Sequence, residues 1–117
     1  MKILPLAVGL ALSAAASGCS YDQKSQTYSA TAPITPHFSS INEHVIQPKC
    51  MPCHAGRRGS DFSSYTGVLN RVRTGSPSGS KFYTEVQDGT MPIDRPMLTD
   101  DELLAIYQWI QNGAPND

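Results

Sequence analysis

The chain has 117 residues, of which 9 are Lys or Arg and 10 are Asp or Glu, and its formal net charge is −1. This length favours one small domain, and a charge so near zero argues against nucleic acid as a partner. Only 39% of the residues are hydrophobic, so a core of this size is thin without additional support. The odd number of Cys, 3, disfavours a simple disulfide framework.

The range 1–18 predicts a secretory signal peptide. A positively charged start is followed by the apolar run 3–16, which is too short to span a bilayer, and then by small residues. Residues 16–19, Ala-Ser-Gly-Cys, resemble the lipobox of bacterial lipoproteins, in which the Cys carries lipid. We therefore expect lipidation of Cys19 and anchoring to a membrane. Cleavage after Ala16, which leaves Cys19 as a free thiol, is the alternative.

The range 19–36 predicts a flexible tether, because it is rich in Ser, Thr, Gln and Ala and has no apolar period. A strand or a segment wrapped against the domain is the alternative. The folded domain is expected over 37–117.

Short apolar patterns predict about four helices and no strands, so the fold class is mostly α. A capping box of Ser40 and Glu43 begins the first helix, which ends near Pro48. Its apolar face consists of Ile41, Val45 and Ile46.

Two further helices are predicted in the middle of the chain. One runs from about Ser64 to Val72, and the range 74–80 is a Gly-, Ser- and Pro-rich loop. Its apolar positions at helical spacing are Tyr65, Val68, Leu69 and Val72. The next helix contains Phe82, Tyr83 and Val86 and is closed by Gly89.

The last helix has the strongest local signals. Thr99 is the predicted N-cap, Glu102 occupies the third helical position, and Leu98 is expected to contact Leu103 across the helix start. The predicted buried stripe consists of Leu103, Ile106, Tyr107 and Ile110. Gly113 and Pro115 end the helix.

Residues 50–54 read Cys-Met-Pro-Cys-His, the Cys-x-x-Cys-His pattern of covalent c-type haem attachment. On a helical turn, Cys50 and Cys53 project to the same side, so both thiols can add to the two vinyl groups of one haem. His54 then follows as the proximal iron ligand. The pattern therefore predicts one haem c per chain.

Three other interpretations of the pattern are weaker. A thioredoxin-like redox pair requires a preceding strand, and the sequence predicts none. A structural zinc site needs four ligands, and beyond the pattern only His37 and His44 remain, both upstream. A disulfide between Cys50 and Cys53 would constrain almost nothing.

A six-coordinate haem also needs a distal ligand, for which the candidates are Met91, Met97, His37 and His44. Met91 is favoured because the following Pro92 restricts it to an extended conformation, which suits a loop across a haem face. Met97 precedes Leu98 and could instead be a core residue. An open distal position is the remaining possibility.

These stretches together resemble small monohaem cytochrome c domains of class I type, similar to the cytochrome c domains of planctomycete proteins. The matching stretches are 50–54, Met-Pro at 91–92, Leu-Thr-Asp-Asp-Glu at 98–102 and Trp-Ile-Gln-Asn-Gly-Ala at 109–114. The resemblance implies a cytochrome c-like fold around a covalently attached haem, with His54 and Met91 as axial ligands. It also implies that the last helix crosses the first one beside the haem.

Other residues are weaker candidates for contacts with the haem. Arg57 and Arg58 could pair with its propionates, and Tyr65, Tyr83 and Trp109 could line its pocket. A solvated basic loop and plain core aromatics are the alternatives. Arg71 and Arg73 could dock an acidic redox partner or could form a solvated helix face.

The sequence thus predicts an exported electron carrier of the periplasm or cell envelope, which exchanges one electron with redox partner proteins. It predicts no enzymatic activity. A haem-based sensor or small-ligand binder with a labile or absent distal ligand is the alternative. A peroxidase-like enzyme is less favoured, because no distal acid–base pair is evident.

Overall fold

The computed structural model describes residues 32–56, 60–94 and 96–117. Helices make up 54% of these described residues, and no strand occurs among them. The predicted fold class, mostly α, is therefore confirmed at this level. The helical elements, in chain order, are α1 (Phe38–Ile41), a π-helical segment (Asn42–Cys50), α2 (Met51–His54), α3 (Tyr65–Leu69), a 3₁₀ turn (Pro77–Gly79), α4 (Lys81–Gln87) and α5 (Asp100–Gln111).

The first helical stretch begins earlier and ends later than the sequence indicates. The predicted capping box is wrong, because the N-cap is His37 and the Ser40 hydroxyl accepts a hydrogen bond from the Thr35 N–H at 3.0 Å. Pro48 does not end the stretch. It lies inside the π-helical segment, whose wider i→i−5 turns continue to the Met51 N–H bonded to the Ile46 carbonyl.

The middle helices are close to the prediction but shorter. The Ser64 hydroxyl caps α3 by accepting from the Gly67 N–H at 3.1 Å. This helix ends at Leu69 rather than Val72, because the chain tightens into i→i−3 turns such as Arg71 N–H to the Val68 carbonyl at 2.9 Å. The predicted loop 74–80 contains the 3₁₀ turn, and α4 ends two residues before Gly89.

The predicted start of α5 is confirmed. The Thr99 hydroxyl accepts from the Glu102 N–H at 3.3 Å, and the Glu102 carboxylate accepts from the Thr99 N–H at 2.9 Å. The predicted stripe is partly wrong, because Tyr107 is exposed. Trp109 takes its place in the buried face, where it has no exposed surface.

The hydrophobic core lies between the first helical stretch, α4 and α5. Both α1 and α4 contact α5, and Trp109 is the centre of this packing, with its ring centroid 5.7 Å from that of Phe38 and 6.5 Å from that of Phe82. The largest fully buried apolar side chains are Trp109, Ile41, Ile46, Ile106, Ile110, Val45 and Val68. The first and last helices of the described residues, α1 and α5, therefore contact each other.

The predicted signal peptide and Cys19 lie outside the described residues. Of the predicted tether 19–36, only 32–36 is described, and there Ile34 packs against the core. Among the described residues, no helix is long and apolar enough to cross a membrane.

Candidate functional site

The π-helical segment and α2 position the three residues of the attachment pattern. Cys50 is the last residue of the π-helical segment and is buried, whereas Cys53 lies in α2 and is exposed. His54 ends α2 and is half-buried. Cys50 and Cys53 form no disulfide, so both sulfur atoms are available for other bonds.

The imidazole of His54 is held from two directions. Its Nδ1 lies 3.0 Å from the Ser60 carbonyl oxygen, and its ring lies 4.8 Å from the Phe62 ring at a tilt of 31°. Because a carbonyl oxygen only accepts, Nδ1 is the donor, and Nε2 keeps its lone pair in the neutral ring. A metal-ligating His commonly has this arrangement, which orients the ring and fixes its tautomer.

A cavity of about 470 Å³ opens beside these residues, and Cys50, Cys53, His54 and Met91 all line it. This volume is within the range of small-molecule and cofactor sites. Apolar side chains form much of its wall, among them Phe62, Phe82 and Val86. The Phe62 and Phe82 rings contact edge to face, with centroids 5.6 Å apart.

The loop after α4 brings Met91 to the cavity. The Met91 N–H donates to the Glu85 carbonyl at 2.9 Å, and the Thr90 N–H donates to the Asp88 carboxylate at 2.9 Å. Gly89 makes this return possible with a φ of +81°, and a Cβ there would lie only 2.6 Å from Met97 Cε. The peptide bond after Met91 is cis.

Only one of the four predicted distal candidates lines the cavity. Met97 is 58% exposed and does not line it. The Nδ1 of His37 lies 2.7 Å from the Asp117 carboxylate, and His44 is half-buried away from the cavity. The structure therefore brings together His54 and Met91, which are 37 positions apart in the sequence.

Burial affects the chemistry of Cys50. It raises the pKa of this thiol to about 11, although the nearby Lys49 ammonium opposes the shift. At neutral pH Cys50 is thus a protonated thiol rather than a thiolate. A reactive redox Cys needs the opposite shift, whereas a neutral thioether sulfur is compatible with burial.

The predicted aromatic contacts of the pocket lie elsewhere. The Tyr65 hydroxyl donates to the Ala114 carbonyl at 2.8 Å, and the Trp109 Nε1–H donates to the Pro115 carbonyl at 2.8 Å. Tyr83 packs edge to face on Tyr107, with ring centroids 5.6 Å apart. None of Tyr65, Tyr83 and Trp109 lines the cavity. Arg57 and Arg58 lie outside the described residues.

Sequence reasoning missed three ionisable residues of the cavity wall. Lys49, Arg71 and Glu85 all line it. Lys49 also pairs with Glu102, with the Lys49 Nζ 2.5 Å from a carboxylate oxygen. The signal for Lys49 was its position directly before Cys50. Arg71 was named from the sequence only as a candidate for partner docking, and the turn after α3 places it in the cavity wall.

Within residues 32–56, 60–94 and 96–117, no three or more His, Cys, Asp or Glu side chains converge as metal ligands. Compared with known proteins, the chain matches no family model, no curated protein and no solved structure. The resemblance to cytochrome c domains therefore stays a prediction, and the interpretation of the site depends on its own residues and geometry.

Proposed function

We propose that this chain is an exported carrier of single electrons that holds one covalent haem c, with His54 and Met91 as axial ligands. One observation supports this proposal above the others. Four residues chosen from the sequence, Cys50, Cys53, His54 and Met91, line the same mostly apolar cavity.

Each of these residues has a chemical role in the proposal. The thiols of Cys50 and Cys53 would hold the haem covalently by addition to two vinyl groups, with one carbon–sulfur bond formed at each Cys and the thiol hydrogen placed on the neighbouring carbon. His54 presents Nε2, because the Ser60 carbonyl holds Nδ1–H. Met91, in the loop after α4, offers a thioether sulfur. When bound, the haem supplies reversible one-electron chemistry at its iron.

The donor set and its surroundings fit such a group. Neutral sulfur and imidazole donors suit iron in an apolar cavity, because none of them brings an unpaired buried charge. The apolar rings of Phe62 and Phe82 form part of the wall of the cavity. Low polarity and two ligands supplied by the protein would favour electron transfer over ligand exchange.

Visible spectra of the holoprotein, made with a cytochrome c maturation system, test the proposal. We expect a low-spin spectrum with the weak long-wavelength band of Met bound to Fe(III). This band disappears in Met91→Ala and persists in the matched control Met97→Ala, because only Met91 lines the cavity. Met91→His keeps a low-spin spectrum but lowers the reduction potential, since a second imidazole replaces the thioether.

Other results would contradict parts of the proposal. A band that survives Met91→Ala would remove Met91 as the ligand. Haem that separates from the denatured protein in mass spectrometry would exclude covalent attachment through Cys50 and Cys53. A reduced protein that is five-coordinate and binds CO rapidly at neutral pH would favour the sensor or ligand-binding alternative.

A further inference from the structure

A short segment, residues 60–63, lies against His54, and we call it the Asp61 segment. Ser60 and Phe62 line the cavity, whereas Asp61 between them is exposed. His54 is bonded to the residues on both sides of Asp61. Its Nδ1–H donates to the Ser60 carbonyl at 3.0 Å, and its own carbonyl accepts from the Phe62 N–H at 2.9 Å. The position of this segment therefore determines where the His54 ring finds its acceptor.

The Asp61 carboxylate holds the segment from its exposed side. Its Oδ1 accepts from the Gly56 N–H at 3.0 Å and from the Ser63 N–H at 2.9 Å. One oxygen atom thus joins the backbone that follows His54 to the backbone that precedes α3. The Ser63 side chain and these two N–H groups hold the pKa of Asp61 below its usual value of 3.8, so it is a carboxylate at neutral pH. Hydrogen bonds to an ionised acceptor are stronger than those to a neutral one.

Helix α3 holds the Asp61 segment from the other side. Gly67 lies inside α3, and a Cβ added there would overlap the Asp61 carbonyl oxygen, so the helix and the segment are in backbone contact. This close approach, rather than a positive φ, requires glycine at position 67. The segment is therefore held between the carboxylate bridge and the helix.

We propose that Asp61 is a positioning residue for the iron ligand His54. It acts through the Ser60 carbonyl, because fixing the segment keeps this acceptor on Nδ1–H, which sets the ring tautomer and raises the basicity of Nε2. The inference rests on the proposed function, since only an iron-bound His54 converts this basicity into a reduction potential. A more basic ligand stabilises Fe(III) relative to Fe(II), so the Asp61 segment keeps the potential lower than an unsupported His54 would.

Two measurements on the holoprotein test this inference. Nuclear magnetic resonance of the reduced protein measures the exchange of the His54 Nδ1 proton with solvent, and voltammetry measures the reduction potential. Asp61→Ala removes the carboxylate bridge, whereas Asp61→Asn removes the charge but keeps an oxygen that can accept from the same N–H groups. The matched control is Asp88→Ala. It removes an exposed carboxylate that accepts from the N–H two residues later, but in the loop that carries Met91.

We expect Asp61→Ala to accelerate exchange of the His54 Nδ1 proton about tenfold and to raise the reduction potential, because the Ser60 carbonyl is no longer held against the ring. Asp61→Asn should restore most of the protection from exchange. Asp88→Ala should change this exchange less than about twofold. Gly67→Ala, which displaces the Asp61 carbonyl and leaves its carboxylate in place, should shift both measurements in the same direction as Asp61→Ala.

Three results would overturn the inference. One is an equal rise of the potential in Asp61→Ala and Asp61→Asn with unchanged exchange, because loss of charge alone would then explain it. Another is equally accelerated exchange in Asp88→Ala. The third is unchanged exchange and potential in an Asp61→Ala protein with a low-spin spectrum and the Met–Fe(III) band, which would leave the proposed function intact. Conversely, accelerated exchange in Asp61→Ala without a reversible one-electron wave in wild type would support the role of Asp61 and contradict the proposed electron carrier.

Discussion

The two helical regions that meet in the core are built differently. α5 is a regular helix with its own capping box and a continuous buried face. The stretch Phe38–His54 changes from α to π and back to α. In none of its three elements does the side chain of the N-cap residue cap the helix start. The irregular stretch nevertheless carries Cys50, Cys53 and His54. The regular helix α5 thus packs in the core and lines no part of the cavity, whereas the irregular stretch contributes both to the core and to the candidate site.

The geometry of the π-helical segment explains this division. An i→i−5 turn contains one more residue than an α turn, so it changes the direction in which all later side chains project. Ile41, Val45 and Ile46 pack into the core before and within this change. Cys50 ends the segment, Cys53 and His54 follow it, and all three line the cavity. The segment thereby lets one short stretch serve both the core and the site.

The largest expected effect is on the regular side of this comparison. Trp109→Ala removes a fully buried side chain between Phe38 and Phe82, and we expect it to lower the free energy of unfolding by about 3–5 kcal/mol. Chemical denaturation of the holoprotein measures this loss. Leu104→Ala in the same helix is the control, with an expected change within about 0.5 kcal/mol because Leu104 is 52% exposed.

A second variant, Trp109→Phe, keeps the prediction testable if the alanine variant does not fold. It retains ring contacts but loses the Nε1 hydrogen bond to the Pro115 carbonyl, so a smaller loss is expected. A Trp109→Ala protein that is destabilised by less than about 1 kcal/mol would contradict the role of α5 as the stabilising region.

An intermediate effect is expected where the two regions are joined. Glu102→Gln removes the ion pair with Lys49 but keeps an amide oxygen that can accept from the Thr99 N–H. The side chains of Glu102 and Lys49 are only 14% and 20% exposed, respectively. We expect a loss of about 1 kcal/mol, because the pair is partly shielded from water. A double-mutant cycle with Lys49→Met measures the coupling between the partners.

The control for this cycle distinguishes the contribution of the ion pair to stability from that of a negative charge near the start of the helix. Asp101→Asn removes a carboxylate from the same first turn of α5, but Asp101 is exposed and has no Lys partner among the described ion pairs. Additive effects of Glu102→Gln and Lys49→Met would show that the pair does not couple α5 to the attachment pattern.

The smallest effect is expected at the start of the irregular stretch and depends on pH. The Asp117 carboxylate accepts from the Phe38 N–H at 2.9 Å and contacts His37, and both interactions hold its pKa below the usual value of 3.8. A lowered pKa contributes stability that is present above pH 3.8 and is lost as the pH falls through the folded-state value.

Thermal denaturation between pH 7 and pH 2 measures this contribution. The melting temperature of wild type should be slightly higher than that of Asp117→Asn at pH 7. This difference should disappear below pH 3.8, so the two plots of melting temperature against pH converge in acid. Asp88→Asn is the comparison variant. It also removes a carboxylate whose pKa is lowered, in this case by the Thr90 side chain and backbone, but it lies at the end of α4 rather than at the start of α1. A constant difference between wild type and Asp117→Asn at every pH would exclude the electrostatic explanation.

Local patterns predicted much of the fold. The cap of α5 was identified correctly at Thr99, because a capping side chain bonds to a backbone N–H within three residues, and the start of α3 was placed correctly near Ser64. The capping box at Ser40 was wrong for a physical reason. The N–H groups at the start of α1 bond instead to Asp117, which lies 79 positions away from Phe38. No local pattern reveals such a contact.

The candidate site divides in the same way. The sequence by itself determined the attachment pattern at 50–54 and favoured Met91 among four distal candidates, because the residue types define which donor atoms are present. Only the tertiary structure placed Met91 in the wall of the same cavity as His54, left Met97 exposed and put Arg71 in that wall. These placements depend on how segments distant in the sequence pack around Trp109. Such packing cannot be predicted from the periodicity or spacing of residues along the chain.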